Sequence, residues 1–328
     1  MPGIRTWSRL VFVSALGLLF GCAGSAGRLA APLQDRHFPV ELHDVPFFSQ
    51  VTDQCGPASL AAILGASGVA VTPSELRSRI YIPDREGSLQ LELLAATRQH
   101  GRIPYEIGPT VTALTAELDA GRPVLVLQNL GATVAPLWHY AVVVGYLPEE
   151  QRFVLRSGEQ RRFLLEAKPF VRSWKRAGLW GIVALRPGEL PASPEAGRYL
   201  RAVAAVEATA GAVDVVPAYR AATQRWPEHG IAWLGLGNAS YAAGALQEAA
   251  AAYRRVLDLS PGDAVALNNL AQVYLDKGCR DEALATIDAA IASVSEAHPV
   301  RTQLLATKDE VPVSYTHLTL PTTIKPWG

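Results

Sequence analysis

The residue best suited to nucleophilic chemistry is Cys55, which is followed by Gly56, Pro57 and the apolar run 58–64. Because proline is well tolerated in the first turn of a helix, this order predicts a helix that begins close to the cysteine. The unpaired N–H groups and the positive dipole end of such a helix favour the thiolate, which is the nucleophilic form. A buried structural cysteine is the alternative, but the polar, turn-forming residues around Cys55 argue against it.

A cysteine nucleophile needs a base, and His139 is the obvious candidate. It stands at the start of the apolar, β-branched run 139–146, which predicts a buried strand. A histidine at that position is costly unless it has a polar partner, and by itself it would be interpreted as a hydrogen-bonded core residue. Its occurrence together with a cysteine at a helix start favours a Cys/His dyad.

These two stretches carry a resemblance to a known family. The runs VPFFSQVTDQCGPASLAAIL (45–64) and HYAVVVGY (139–146) resemble the bacteriocin-processing type of papain-like cysteine peptidase. Enzymes of that type cut leader peptides, often after a Gly-Gly pair. The resemblance extends over residues 42–185 and implies an α+β papain-like fold that hydrolyses peptide bonds.

The resemblance also implies roles for individual residues. Cys55 would be the nucleophile and His139 the general base. Gln50 would supply the oxyanion-hole side chain, and Gln54 is the alternative because the spacing from Gln50 to the cysteine is slightly short. Ser157 stands where the family usually has an aspartate; it could accept a hydrogen bond from the imidazole but would carry no charge.

The first 22 residues are typical of a targeting segment, with two arginines followed by an apolar core, 10–20, that is too short to span a membrane. Residues 19–22 (LFGC) resemble the cleavage box of bacterial lipoproteins, which makes Cys22 the expected lipidation site. An ordinary signal peptide is the alternative. Because Ala23 rather than aspartate follows, the resemblance implies an outer-membrane lipoprotein that faces the periplasm and is held by its lipid anchor.

Composition argues against several other functions. The 30 basic and 30 acidic residues cancel, so nucleic-acid binding is not expected. The sequence has no HExxH motif, no pair of CxxC motifs and no phosphate-binding loop, so neither a metal nor a nucleotide cofactor is expected. With Cys22 and Cys55 assigned, Cys279 is left alone and no disulfide framework is expected.

Helices precede strands in the region 39–187, which predicts an α+β layout with an antiparallel sheet. Thr72 followed by Glu75 is a helix-start signal. Further helices are expected at 87–101, 112–120 and 169–176, and strands at 124–128, 139–146, 152–156, 162–165 and 181–185.

The second half of the chain repeats with a period of 34 residues, which is the signature of tetratricopeptide repeats. Five columns are in register: Pro227 with Pro261; Tyr199, Trp233 and Leu267; Val215, Ala249 and Ala283; Tyr219, Tyr253 and Ile287; Ala222, Val256 and Ala290. Such helix pairs bury their faces only against neighbouring pairs and form an all-α solenoid with a concave groove.

The predicted organisation is a signal peptide (1–22), a tether (23–38), the papain-like domain (39–187), a Pro-rich linker (188–195), the repeats with a partial cap (196–312) and a non-native tail (313–328). The expected function is peptide-bond hydrolysis, with the repeats binding a peptide or protein partner. Two alternatives stay open: a cell-wall peptide amidase or acyltransferase using the same dyad, and a catalytically inactive scaffold. Ser157 favours the scaffold somewhat, whereas the combination of Gln50, Cys55, Gly56 and His139 favours catalysis more strongly.

Overall fold

The computed structural model describes Leu33 and residues 36–49, 54–82, 87–210 and 215–311. Several predicted features lie outside these residues, namely the signal peptide 1–22 with the lipidation site Cys22, most of the tether 23–38, the oxyanion candidate Gln50 and the tail 313–328. The chain divides into two compact units, with the boundary between Ala221 and Ala222. Among the helices in the described ranges, none has the length and apolar character needed to cross a membrane.

The first unit mixes helices with strands. Its helices are α1 (Cys55–Ala66), α2 (Pro73–Ile80), α3 (Gln90–Gln99), α4 (Val111–Asp119), α5 (Ala167–Arg176) and α6 (Ala196–Ala210). Its strands are β1 (Val40–Glu41), β2 (Ile103–Glu106), β3 (Val124–Asn129), β4 (Trp138–Leu147), β5 (Arg152–Ser157), β6 (Gln160–Glu166) and β7 (Gly181–Leu185).

In the described residues these seven strands form one antiparallel sheet in the order β2-β7-β3-β4-β5-β6, with β1 also paired to β4. The backbone of β1 approaches β4 so closely that a Cβ on Gly145 would lie 2.2 Å from the carbonyl oxygen of Val40. Strand β4 therefore pairs with β1, β3 and β5 and forms the middle of the sheet. The predicted α+β layout with an antiparallel sheet is confirmed.

Helix α1 is the core helix of this unit. Nine consecutive residues, 56–64, are buried, as expected for a helix that is apolar on every side. Leu60, Ile63 and Leu64 belong to the same core as Val142 and Val144 of β4. The core thus fixes α1 against β4, the strand that carries the candidate histidine near its start.

The local signals at the other helices are also found in the structure. Thr72 caps α2 and forms the reciprocal capping box with Glu75.

Two short strands, β1 and β2, were not among the predicted elements. Strand β2 contains Pro104, which cannot donate a ladder hydrogen bond, and it lies at the edge of the sheet where proline is tolerated.

Residues after the sheet remain hydrogen-bonded to the first unit. The backbone N–H of Ala192 donates to Glu117 Oε1 at 2.8 Å, and the Tyr105 hydroxyl donates to the Ser193 carbonyl oxygen at 3.3 Å. Helix α6 then contacts α3 and β2. The boundary between the compact units therefore comes later in the chain than the Pro-rich segment 188–195 that composition suggests as the linker.

Helical pairs continue from residue 216, shortly before the end of the first unit, to residue 310. They are α7 (Val216–Arg225), α8 (Gly230–Ala242), α9 (Leu246–Leu259), α10 (Ala264–Asp276), α11 (Arg280–Ala292) and α12 (Arg301–Glu310). Columns that recur with the 34-residue period are buried, such as Tyr219, Tyr253 and Ile287. A Cβ on Gly237 would lie 2.4 Å from the ring of Tyr253, so the glycine makes room for that ring. The predicted tetratricopeptide-type helical region is confirmed.

Candidate active site

Cys55 is the first residue of α1 and is partly buried. The residue before it, Gln54, is the N-cap, yet within the described part of the chain its side chain makes no capping hydrogen bond. Among the described residues, the first turn of α1 is therefore not capped by the side chain of its N-cap residue. Its N–H groups and dipole end are directed at the region of the cysteine, where they favour a thiolate or another developing anion.

His139 lies near the start of β4 and is partly buried. Its Nε2 is 2.8 Å from Oγ of Ser157, the last residue of β5. Burial lowers the pKa of His139 below its ordinary value, because an imidazolium loses hydration there. With Nε2 engaged by Ser157, Nδ1 is the ring nitrogen left to exchange a proton with a nucleophile.

Ser157 orients the imidazole differently from a carboxylate. A hydroxyl can both donate and accept, so it is compatible with either neutral tautomer of the ring. An aspartate would accept only, and would hold the proton on Nε2 and the lone pair on Nδ1. Ser157 therefore fixes the direction of the ring but leaves the tautomer less strictly defined.

The neighbours of Cys55 and His139 touch each other. Tyr140, next to the histidine, donates a hydrogen bond from its hydroxyl to the carbonyl oxygen of Ser88 at 3.2 Å. A Cβ on Gly56, next to the cysteine, would lie 2.7 Å from Oγ of Ser88 and 3.6 Å from Cδ2 of Tyr140. Burial, and secondly the electrostatic effect that a Cys55 thiolate would exert, raise the pKa of Tyr140. The starts of α1 and β4 are thus held together through Ser88.

The loop between β3 and β4 presents apolar side chains beside the histidine. Trp138 is 53% exposed, which decides against a core role for it, and three further exposed apolar residues precede it in the loop: Leu130, Val134 and Leu137. Asn129 braces this loop, since its Oδ1 accepts from the N–H groups of Gly131 and Leu137, each at 3.0 Å. The loop is therefore ordered although its apolar side chains face solvent.

The structure describes four of the predicted site residues. Cys55 and Gln54 are at the start of α1, and His139 and Ser157 are hydrogen-bonded to each other. Gln50 and Cys22 fall outside the described residues, so their roles, like the catalytic assignments as a whole, stay predictions. Ser88 and Tyr140 were not predicted to lie at the site. Their contribution depends on three segments that meet only in the fold, and the one local signal was the small residue Gly56.

Two family models match separate parts of the chain. Residues 42–178 match the family model described as "Peptidase_C39 like family", and residues 216–264 match the model described as "Tetratricopeptide repeat". The first match includes Cys55, His139 and Ser157. The chain is thus similar to C39-like peptidases in its first part and to tetratricopeptide-repeat proteins in its second. None of the curated proteins compared with the chain matches it significantly.

Among solved structures, a C39-like peptidase from Bacillus anthracis matches at 18% identity and a TM-score of 0.38, over 45% of this chain and 98% of that one. The TPR2B domain of yeast Sti1, in a pHsp70 complex, matches at 18% identity and a TM-score of 0.34, over 35% of this chain and 94% of that one. The Sgt2 TPR domain from Aspergillus fumigatus matches at 17% identity and a TM-score of 0.33, over 38% of this chain and 82% of that one. These likenesses are too distant to carry an argument about function.

Proposed function

We propose that the first unit is a cysteine peptidase that hydrolyses peptide bonds, with Cys55 as the nucleophile and His139 as the general base. The observation that carries the proposal is the hydrogen bond between His139 and Ser157. His139 lies on β4, which packs against α1, and Cys55 is the first residue of α1. A structural cysteine at this position would not account for a histidine that is oriented by a third polar group.

The proposed reaction proceeds in two stages. His139 takes the thiol proton as the sulfur of Cys55 attacks the substrate carbonyl, and the resulting oxyanion is stabilised by N–H groups at the start of α1 together with Gln50 or Gln54. When the C–N bond breaks, His139 gives the proton to the leaving amine, and an acyl-thioenzyme remains. Water, deprotonated by His139, then attacks the thioester, releases the acid and restores the thiol.

Two finer features belong to the same proposal. The substrate is a leader-type peptide of the double-glycine class, in line with the sequence resemblance of residues 42–185. The tetratricopeptide groove binds a peptide or protein partner, because repeats of this kind expose a concave face that is not used in their own packing.

Location is the third feature of the proposal. Cys22 carries the lipid that anchors the protein to the outer membrane, on the periplasmic side, and the basis for this is the sequence LFGC at 19–22. Replacement of Cys22 by serine would move the protein from the membrane fraction to a soluble or unprocessed form. If the variant fractionates like the wild type, the lipid anchor is absent.

One specific observation favours a second candidate, a catalytically inactive scaffold. Ser157 supplies no negative charge to stabilise an imidazolium, and burial also opposes that cation. An acyl-type activity probe for cysteine peptidases separates the two candidates. The peptidase proposal expects labelling of the wild type and none of Cys55→Ala, whereas a correctly folded wild-type protein that stays unlabelled would favour the scaffold.

A further inference from the structure

A cavity of the first unit lies outside the candidate active site. It has a volume of about 490 Å³, is partly open to solvent, and is bordered by α3, the segment from β2 to residue 109, the turn from α5 to β7, and α6. This volume is in the range of small-ligand sites, which run from about 300 to 1,000 Å³. Trp180 forms part of the wall, and its ring packs edge-on against Tyr140 with centroids 6.1 Å apart.

The charged lining of this cavity is predominantly basic. Arg98, Arg198 and Arg201 line it, against the single carboxylate of Glu106. Arg198 is already engaged, since it donates to the backbone oxygen of Glu106 at 3.1 Å and lies 4.0 Å from Glu195. Arg98 and Arg201, in contrast, have neither a hydrogen-bond nor an ion-pair partner among the residues that the structure describes. Arg201 lies within electrostatic range of Glu195, but neither of these two guanidinium groups is in direct contact with a carboxylate of the described residues.

The remaining wall of the cavity is apolar. It consists of the side chains of Pro104, Ile107, Leu179 and Trp180. Leu179 has a φ of 57°, a left-handed conformation that is unfavourable for a residue with a Cβ. This conformation follows the end of α5 and brings Leu179 and Trp180 to the cavity.

We propose that this cavity binds the C-terminal carboxylate of a peptide together with an apolar last side chain. Guanidinium groups present paired N–H donors that match the two oxygens of a carboxylate. Glu106 repels anions, and it opposes a dianionic phosphate more strongly than a singly charged carboxylate. The apolar wall gives a last side chain such as leucine a surface to bury. This binding function goes beyond the proposed hydrolysis, because it needs neither Cys55 nor His139.

Isothermal titration calorimetry on the full chain tests the proposal, with Cys55→Ala in the background so that no peptide is cleaved. The probes are an N-acetylated tripeptide ending in leucine with a free carboxylate, the same peptide as its C-terminal amide, and inorganic phosphate. We expect the acid to bind about tenfold or more tightly than the amide, the ratio that one charge-assisted hydrogen-bond pair provides, and phosphate to bind more weakly than the acid.

Arginine variants assign that binding to the cavity. Arg98→Ala and Arg201→Ala should each weaken binding of the acid about tenfold, and both residues are partly or fully exposed, so circular dichroism should show an unchanged fold. Arg172→Ala is the matched control, an exposed arginine of α5 that does not line the cavity, and should bind as the parent does. Equal affinity for acid and amide, preference for phosphate, no binding, or affinity unaffected by both cavity variants would each overturn the proposal.

Discussion

The two ends of α1 are built differently. At the C-terminal end the carbonyl oxygen of Ser67 accepts hydrogen bonds from Arg102 and Arg186, at 3.0 and 2.9 Å, and the Ser67 hydroxyl donates to the carbonyl oxygen of Leu64 at 2.7 Å. At the N-terminal end, where Cys55 lies, the described residues provide no side-chain cap. Positive charge therefore satisfies the C-terminal end of the helix dipole, whereas at the N-terminal end the described residues place no capping side chain.

The difference indicates a division of roles within a single helix. Hydrogen bonds at the C-terminal end should contribute to folding stability and little to reactivity. The N-terminal end should contribute to reactivity, and its geometry depends on the close contact of Gly56 with Ser88. Variants at the two ends should therefore change different observables.

The largest effect is expected at the N-terminal end, from Gly56→Ala. The new methyl group would lie 2.7 Å from Oγ and 2.8 Å from Cβ of Ser88, so α1 or the segment of Ser88 must shift. We expect a loss of about 1–3 kcal/mol in the free energy of unfolding and a fall in peptidase activity of about a hundredfold. Chemical denaturation and a peptide-hydrolysis assay measure the two quantities.

Two further variants sharpen this prediction. Gly230→Ala, in the first turn of α8, is the control, since nothing lies within 4 Å of a Cβ there, and it should leave stability and activity nearly unchanged. Ser88→Gly in combination with Gly56→Ala removes both atoms in the clash and should recover most of the loss. A Gly56→Ala protein as stable and active as the Gly230→Ala control would mean that this contact does not position the cysteine.

A smaller effect is expected at the C-terminal end, from Arg102→Ala. The variant removes three donor contacts to the oxygens of Ser67, at 3.0 to 3.3 Å. It should lower the free energy of unfolding by about 1–2 kcal/mol, measured by urea denaturation, with no change in the rate at which Cys55 is alkylated. An alkylation rate that falls in step with stability would show that the two ends of α1 are not separable.

The smallest effect is expected at Ser157, which acts on the imidazole rather than on the helix. Ser157→Ala removes one neutral hydrogen bond and should reduce kcat/KM several-fold, since such bonds contribute about 1 kcal/mol. Ser157→Asp should raise the rate above that of the wild type, because a carboxylate fixes the tautomer and stabilises the imidazolium. Rates of peptide hydrolysis measure both changes, and an aspartate variant no faster than the alanine variant would argue against this role.

The sequence patterns that were predictive are local or periodic. The Thr72–Glu75 capping box spans three residues, and the columns of the repeats recur every 34 residues, so both can be recognised without the fold. The burial of Tyr253 and Ile287 follows from that period, because each helix pair packs against a similar neighbour. The α+β layout followed from the order of helical and strand patterns in the same way.

Features that were not predicted depend on residues far apart in the chain. Arg102 and Arg186 meet at Ser67 across 35 and 119 residues of sequence, and no local pattern pairs them. The contact between Gly56, Ser88 and Tyr140 likewise joins a helix, a loop and a strand. Strand β2 was missed because Pro104 weakens the strand signal, and only its edge position makes the proline acceptable.

The pH dependence of Cys55 alkylation by iodoacetamide is the most direct test of the dyad. If the start of α1 and His139 stabilise the thiolate, Cys55 should be alkylated at pH values well below the ordinary thiol pKa of about 8.5. It should also react faster than Cys279. His139→Ala should shift the profile to higher pH, because the cation that stabilises the thiolate is lost. A Cys55 profile that follows an ordinary thiol, and that is the same in wild type and His139→Ala, would contradict the catalytic account.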